Sequence, residues 1–249
     1  MRYLLIDFDS VVHNAVRCSK DIDEEGFVRD KDLVMDSIGA ALGSIMDGAS
    51  EQLQAPIHRV GLFVSGSYSF RKLVHPDYKA NRKKTPTPVL LYWALHKAVD
   101  YFGAMKVDGL EADDVVLATK KKLEEDWENE VVVATIDKDL RQVSGLFYDY
   151  YYTRNELVKV SEEEARHNFW KQMLMGDKTD NVQGIKGIGD KKADKILKDC
   201  TNEYSMFRKV YASYITHYGV KARLMYDKSF RLLRMVEDGI PTMKEFKEL

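Results

Sequence analysis

Cysteine is scarce and long apolar runs are absent, and each absence excludes a class of protein. The 249 residues include two cysteines, Cys18 and Cys200, which lie far apart and form no metal-binding spacing. Two such cysteines indicate a reducing compartment. No apolar stretch reaches the roughly 18 residues that a membrane span needs, and Asp7 comes too early for a signal peptide. We therefore expect a cytoplasmic protein with no membrane partner.

The chain also lacks a net charge that could attract a polyanion as a whole. Its 38 Lys and Arg residues nearly balance 40 Asp and Glu residues, which gives a formal net charge of −2. Any attraction to nucleic acid therefore has to be local. Apolar residues make up 45% of the chain, enough for the core of one large domain, or of a domain with an appendage.

Short apolar runs alternate with segments of helical period in the first part of the chain. Tyr3–Ile6, Val60–Val64 and Val131–Ile136 have the composition of buried strands, whereas Leu33–Met46 and Val89–Phe102 have apolar residues at helical spacing. This alternation predicts an α/β fold with a mostly parallel central sheet flanked by helices. From residue 161 onward the pattern becomes helical.

Acidic residues recur in small groups at the ends of apolar runs or at helix starts. The groups are Asp7 with Asp9, Glu111 with Asp113 and Asp114, Asp137 with Asp139, and Asp177 with Asp180. Each group alone also fits an ordinary helix cap or turn. If the four groups converge, a buried carboxylate cluster needs a positive neutraliser. The absence of nearby His or Cys favours magnesium or manganese over zinc as that neutraliser.

A basic segment follows the second predicted strand. Its positive residues are Arg71, Lys72, Lys79, Arg82, Lys83 and Lys84, and the aromatic residues Phe70 and Tyr78 lie among them. One interpretation is a solvated surface loop. The other is a phosphate-binding segment whose aromatic rings stack on unpaired bases. Its position after a strand end places it over the predicted metal site.

The glycine-rich stretch Gly184–Ala193 is the most distinctive local pattern. It lacks the lysine that a P-loop requires and the third glycine of a dinucleotide-binding fingerprint. It fits a helix-hairpin-helix turn, in which glycines let the backbone approach a phosphate and amides of the next helix donate to it. The alternative is a purely structural corner between two helices.

These segments, taken together and in order, resemble the 5′ nuclease superfamily. The matching stretches are Leu5–Asp7, Ser69–Arg71, Tyr78–Arg82, Glu111–Asp114, Thr135–Leu140, Met175–Asn181 and Gly184–Ala193. The chain is most similar to the stand-alone phage 5′–3′ exonucleases and flap endonucleases, and also to the 5′ nuclease domain of bacterial DNA polymerase I. The resemblance covers residues 1 to about 200.

The resemblance implies a fold and an activity. The fold would be a PIN-like core in residues 1–170, with a helical arch at about 71–90, followed by a helix-hairpin-helix region in 171–249. The activity would be 5′–3′ exonuclease and flap endonuclease hydrolysis of DNA by a two-metal mechanism, in replication or repair. The partners would be duplex DNA with a 5′ end or flap, and RNA in RNA–DNA hybrids. A monomer would act in the cytoplasm, or in the host cytoplasm if a phage encodes it.

The resemblance also implies roles for individual residues. A first Mg²⁺ would be held by Asp7, Glu111 and Asp113, with Asp114 near both ions. A second Mg²⁺ would be held by Asp137, Asp139, Asp177 and Asp180. Mn²⁺ would substitute for either ion, and K⁺ would bind at the hairpin. Lys79 and Arg82 would contact the scissile phosphate. The remaining DNA contacts would come from Arg71, Tyr78, Lys83, Lys84, Gly184, Lys186, Gly187, Gly189, Lys191 and Lys192.

One departure from the family pattern keeps other functions open. The family has an Asp just after its second strand, but Phe63–Ser67 contains no carboxylate. A ligand of the first metal ion is therefore missing, or it is replaced by Asp9, which also fits a helix cap. A catalytically weak branched-DNA-binding protein on the same fold remains an alternative. A ribonuclease related to the PIN domains is another, although the predicted duplex-binding hairpin argues against it.

Overall fold

The computed structural model describes residues 1–17, 30–84, 87–150 and 155–235, apart from the side chains of Lys83 and Lys84. The strands are β1 Arg2–Asp7, β2 Arg59–Ser69, β3 Met105–Gly109, β4 Glu130–Ala134, β5 Gly145–Asp149, β6 Glu156–Val160, β7 Gly176–Asp177 and β8 Val182–Gln183. The α-helices are α1 Phe8–Ala15, α2 Lys31–Leu53, α3 Arg71–Val74, α4 Leu91–Asp100, α5 Ala112–Glu124, α6 Glu162–Met175, α7 Asp190–Leu197, α8 Glu203–Tyr218 and α9 Ala222–Leu233. Three 3-10 helices cover Ala80–Lys84, Lys138–Gln142 and Gly219–Lys221.

Six strands form one sheet in the order β3-β2-β1-β4-β5-β6. Strand β1 pairs in parallel with β2 and β4, and β2–β3 and β4–β5 are parallel as well. Strand β6 pairs antiparallel with β5. The mostly parallel sheet predicted from the sequence is therefore confirmed. In the register of this sheet Asp7 lies beside Phe63, and Ile6 beside Ala134, so β1 and β4 end at the same edge, whereas β2 continues past it to Ser69.

Both faces of the central strands are buried, which explains their unbroken apolar runs. Leu4 and Ile6 pack with α1, α2 and α4 on one face. Leu5 packs on the other face with α5 residues such as Val116. The alternation of side chains along a strand gives each face its own core. The result is a three-layer arrangement that fixes the edge at which β1 and β4 end.

The carboxyl-terminal helices enclose a separate apolar core. It contains Phe169 and Met173 of α6, Val210 and Tyr214 of α8, and Leu232 of α9. Because α6 contributes to this core while its Ala165 packs against the sheet side, the helix joins the two parts of the chain. The predicted domain boundary at residue 170 falls within α6 and stays a prediction. No helix in the described residues is both long and apolar enough to cross a membrane.

The segment predicted as a helical arch contains two short helices in its described residues. These are α3 and the 3-10 helix Ala80–Lys84. Between them, Lys79 has a positive φ of 57°, and its backbone N–H donates to the Asp180 carbonyl at 2.9 Å. Asn81 donates to the Lys178 carbonyl at 2.8 Å. The base of the segment is therefore tied to the loop that carries Asp177 and Asp180.

Candidate metal and nucleic-acid site

Three predicted acids are positioned by the edge of the sheet. Asp7 ends β1 and is the N-cap of α1, Asp113 lies in the first turn of α5, and Asp137 precedes the 3-10 helix after β4. Their charges act on one another. Burial, followed by the charges of Asp9 and Asp137, raises the pKa of Asp7 to about 7. Burial, followed by Asp7 and Asp137, raises the pKa of Asp113 well above its ordinary value.

The four acids predicted for the second metal ion line one cleft. Asp137, Asp139, Asp177 and Asp180 border a volume of about 430 Å³, together with Arg82. Burial, with the charges of Asp137 and Asp177, raises the pKa of Asp139 to about 7. Asp177 accepts backbone N–H groups from Thr179 at 2.7 Å and Asp180 at 3.3 Å. These bonds hold the loop so that its carboxylates face the end of β4.

A lysine ammonium lies among both groups of acids. Lys79 Nζ is 2.7 Å from Glu111 Oε1 and 3.6 Å from Asp180 Oδ2, and Arg82 forms an ion pair with Asp180. Burial lowers the pKa of Lys79, but Glu111 and Asp180 raise it by more, so the ammonium stays charged. Its charge also lowers the pKa of Asp113 and Asp137, which burial raises. The carboxylates of both groups therefore share the Lys79 ammonium as a positive neighbour.

The Tyr78 hydroxyl connects the same acids. It lies 2.9 Å from Glu111 Oε2 and 2.8 Å from Asp180 Oδ2, and it can donate its proton to one of them at a time. The ring is buried in the core of the carboxyl-terminal helices. The prediction that Tyr78 stacks on DNA bases is therefore wrong, because the ring has no surface on which a base could lie.

The donor chemistry of the site fits hard divalent cations. Every candidate ligand is a carboxylate oxygen, the ligand type that Mg²⁺ and Mn²⁺ prefer. Within residues 1–17, 30–84, 87–150 and 155–235, however, no three acids yet stand in a ready-made metal-binding group. Glu111 and Asp180 are paired instead with Lys79 and Arg82. A metal ion at either acid would have to displace one of these basic side chains.

Arg71 and Asp114 correct two further predictions. The Arg71 side chain is 1% exposed, and its two terminal nitrogens donate to Asp114 at 2.6 and 2.8 Å. Arg71 is therefore not a DNA contact, because DNA cannot reach it. Asp114 is fully buried, and both of its oxygens are taken up by Arg71. It is therefore not a direct metal ligand, and it serves instead as the counter-charge of Arg71.

The glycine-rich turn lies between β8 and α7. Gly184 packs so closely on the main chain of Met175 that a Cβ would overlap it, whereas Gly187 has a φ of +82° and open space around it. Gly189 is the N-cap of α7. The predicted DNA-binding lysines of this turn are all exposed: Lys186, Lys191 and Lys192. Their exposure leaves them accessible to a phosphate, and DNA contact there stays a prediction.

A second cleft joins the acids to the turn. It has a volume of about 730 Å³, borders Asp139 and Asp177 at one end, and reaches Gly189 at the other. Lys171 lines it and pairs with Asp190 at 2.7 Å and with Asp194 at 2.9 Å. Sequence reasoning missed Lys171, because an isolated lysine within α6 has no local pattern that marks it.

Comparison with known proteins supplies independent findings. Residues 4–170 match the family described as 5′–3′ exonuclease, N-terminal resolvase-like domain. The thermostable DNA polymerase I of Thermus aquaticus is 35% identical over 147 residues, which are 55% of this chain and 18% of that protein. A 5′–3′ exonuclease of Aquifex aeolicus is 30% identical over 155 residues, which are 58% of this chain and 53% of that protein. The chain thus matches under a fifth of the polymerase and about half of the exonuclease.

Solved structures with low sequence identity share the fold over nearly the whole chain. A T5 5′-exonuclease with bound zinc ions has a TM-score of 0.61 at 16% identity and covers 95% of this chain and 100% of its own. A bacteriophage T5 flap endonuclease complex with DNA and metal ions has a TM-score of 0.58 at 15% identity and covers 94% and 99%.

Proposed function

This chain belongs to the 5′–3′ exonuclease family, and on that premise we propose that it is a divalent-metal-dependent nuclease. It hydrolyses DNA phosphodiesters from 5′ ends and at 5′ flaps. The observation that carries this proposal is the cluster of Asp7, Asp113 and Asp137 at the carboxyl edge of the sheet, where burial and the charges of neighbouring carboxylates raise the pKa of each acid. Such a cluster is stable in its charged form only with a cation, and two cations suit phosphodiester cleavage.

The residues divide between two ions. Asp7, Glu111 and Asp113 would hold the first, and the four acids of the 430 Å³ cleft would hold the second. Two bound divalent ions would activate the attacking water and stabilise the leaving oxygen. Mg²⁺ is the proposed physiological ion, with Mn²⁺ able to replace it, because both accept all-oxygen ligand sets.

Lys79 and Arg82 act on the substrate phosphate. In the structure they neutralise Glu111 and Asp180. If those acids held metal ions, the two basic groups would be free next to the reacting centre. There they can stabilise the negative charge that develops on the phosphate during hydrolysis. Arg82 is half exposed, so it can reach a strand that enters along the cleft.

Duplex DNA would be bound along the surface from the acids to the glycine-rich turn. The 730 Å³ cleft runs from the acids to Gly189 of the turn, and Lys186, Lys191 and Lys192 are exposed on the turn and at the start of α7. The T5 flap endonuclease structure that contains DNA and metal ions supports this assignment through its shared fold.

We also propose K⁺ at the turn, RNA–DNA hybrids as secondary substrates, a monomeric state, action in the cytoplasm, and a role in replication or repair.

The test is cleavage of 5′-labelled 5′-flap, blunt duplex and 3′-flap DNA, with Mg²⁺ or EDTA. Wild-type protein should cut the 5′ flap and the 5′ end in Mg²⁺ and nothing in EDTA. Asp113→Asn should lower the rate by orders of magnitude while DNA affinity stays comparable or tightens, because an acid that repels phosphate has been removed. Asp36→Asn, which changes an exposed acid of α2, is the matched control and should cut like wild type.

The same assay decides between the alternatives. Tight binding of flap DNA without cleavage in Mg²⁺ or Mn²⁺ would identify a branched-DNA-binding protein. Faster cleavage of RNA than of DNA in the same structures would identify a PIN-type ribonuclease.

A further inference from the structure

Helix α6 borders the cleft that joins the acids to the glycine-rich turn, and one of its lysines is bonded to the start of α7. Lys171 Nζ is 2.7 Å from Asp190 Oδ1 and 2.9 Å from Asp194 Oδ1. Asp190 is the first residue of α7, and Asp194 lies one turn later on the same face of that helix. A single ammonium therefore holds both carboxylates that α7 directs towards α6.

The same part of α6 is also bonded to the segment that carries Asp139. Asn168, one turn before Lys171 on the same face of the helix, donates its side-chain N–H to the Arg141 carbonyl at 2.9 Å. Arg141 and Asp139 both belong to the 3-10 helix Lys138–Gln142. Helix α6 thus connects a predicted metal ligand with the start of α7, and both of these parts border the same 730 Å³ cleft.

The acids at the start of α7 are unfavourable on a surface that is proposed to bind phosphates. Asp190 borders the cleft next to Gly189, so a free carboxylate there would repel a phosphate. The Asp190 side chain is 70% exposed, whereas the Lys171 side chain is 21% exposed and already bonded to both carboxylates. A bound strand would therefore meet the acid before the lysine. Lys171 is thus placed to control the acids rather than to bind the strand itself.

We propose that Lys171 is a positioning residue for duplex binding. Its ammonium neutralises Asp190 and holds both carboxylates against α6, which keeps negative charge out of the path from the acids to the turn. Without the ammonium, the exposed Asp190 side chain is free to turn towards the cleft and to face the phosphates. The proposal rests on the function proposed above, in which duplex DNA binds along this cleft.

The test measures the affinity for a fluorescein-labelled blunt duplex by anisotropy in EDTA. Lys171→Met, which keeps the length of the side chain but loses the charge, should bind several-fold more weakly than wild type, and Lys171→Arg should bind like wild type. The paired variant Asp190→Asn with Asp194→Asn should bind at least as tightly as wild type, because neither carboxylate remains to repel phosphate. In that paired background, Lys171→Met should change the affinity little.

Two other roles for Lys171 give different results. If the ion pairs only join α6 to α7, the paired asparagine variant should bind as weakly as Lys171→Met, because both break the same contacts. If Lys171 itself binds a phosphate, Lys171→Met should weaken binding by the same factor with or without the two aspartates. Either result, or a Lys171→Met variant that binds like wild type, would overturn the proposal.

Cleavage of the 5′ flap in Mg²⁺ separates binding from chemistry. Lys171→Met should need more enzyme for half-maximal single-turnover rate but reach the wild-type plateau, and a lowered plateau would overturn a role confined to binding. Arg166→Met, which breaks a pair with Glu162 within α6 at 3.4 Å, is the control and should bind and cut like wild type. A wild type that binds and cuts, with Lys171→Met unchanged, contradicts only the role of Lys171. A wild type that neither binds duplex nor cuts flaps contradicts the proposed function itself.

Discussion

Among single residues, Arg71 departs most from its predicted role, which was to contact DNA. Its guanidinium bonds Asp114 and Glu111 on α5, and also the carbonyls of Leu232 at 2.9 Å and Arg234 at 3.1 Å. It thereby joins the basic segment, the start of α5 and the end of α9. By holding Glu111 from the buried side, it leaves that acid's other oxygen for Lys79 or for a metal ion.

Arg71→Ala should therefore lower stability rather than weaken DNA binding alone. Loss of the guanidinium removes the counter-charge that Arg71 gives to the buried Asp114 carboxylate, which typically costs about 3–5 kcal/mol. Urea denaturation of Arg71→Ala measures that cost, and Lys72→Ala, at the exposed neighbouring position, should change stability little. Normal stability with weakened DNA binding would show that Arg71 contacts DNA after all.

The raised pKa values of the acids predict how the metal-free protein responds to pH. Burial raises the pKa of Asp7 from 3.8 to about 7, so the folded chain holds its proton more tightly than the unfolded chain. Stability from this group is complete below pH 3.8 and is lost as the pH rises through about 7. In EDTA the melting temperature should therefore fall between about pH 4 and about pH 7 and then level off.

Asp7→Asn isolates this effect, because asparagine cannot ionise. In EDTA at about pH 8 the variant should melt at a higher temperature than wild type. It should also gain less from added Mg²⁺, since a ligand has been lost. The opposite result would be a wild-type melting temperature that rises over this pH range in EDTA, with Asp7→Asn melting no higher than wild type. That result would show that the acids are not crowded in the folded protein.

At the scale of elements, β1 and β4 were predictable because both of their faces are buried. Strand β3 was not predicted, since its Met105, Lys106 and Asp108 are exposed at the edge of the sheet. Strands β5 and β6 were missed as well, because they form an antiparallel pair at the opposite edge. The candidate metal ligands could be identified from the sequence, because the acidic groups follow one another along the chain in the order typical of the family. The burial of Arg71 could not, because its partner Leu232 is 161 residues away.

The turn before α7 makes a prediction of its own. Lys191→Ala and Lys192→Ala should weaken duplex binding, and each lost phosphate contact should reduce the log–log salt slope by about 0.9. Filter binding or fluorescence anisotropy at several salt concentrations measures the slope. Lys122→Ala, at an exposed position in the last turn of α5, more than two turns beyond Asp113, is the control. Unchanged slopes in both turn variants would place DNA elsewhere.

For the whole molecule, the arrangement of charge matters more than its sum. A formal net charge of −2 would repel DNA weakly, yet basic groups border the acids on the cleft side and at the glycine-rich turn. The carboxyl-terminal helices have their own core but contact the site through Tyr78 and through the Arg71 bonds to α9. The proposed sites for metal ions, strand entry and duplex DNA thereby lie on one connected surface.

The most direct test of the account is the single-turnover rate of 5′-flap cleavage as a function of Mg²⁺ concentration, with enzyme in excess over a 5′-labelled substrate. No cleavage is expected in EDTA. At low Mg²⁺ the rate should rise more steeply than in direct proportion, since two ions are required, and it should reach a plateau at which Asp137→Asn remains orders of magnitude slower. Cleavage that persists in EDTA, or that Asp137→Asn leaves intact, would contradict a metal-dependent nuclease built on these acids.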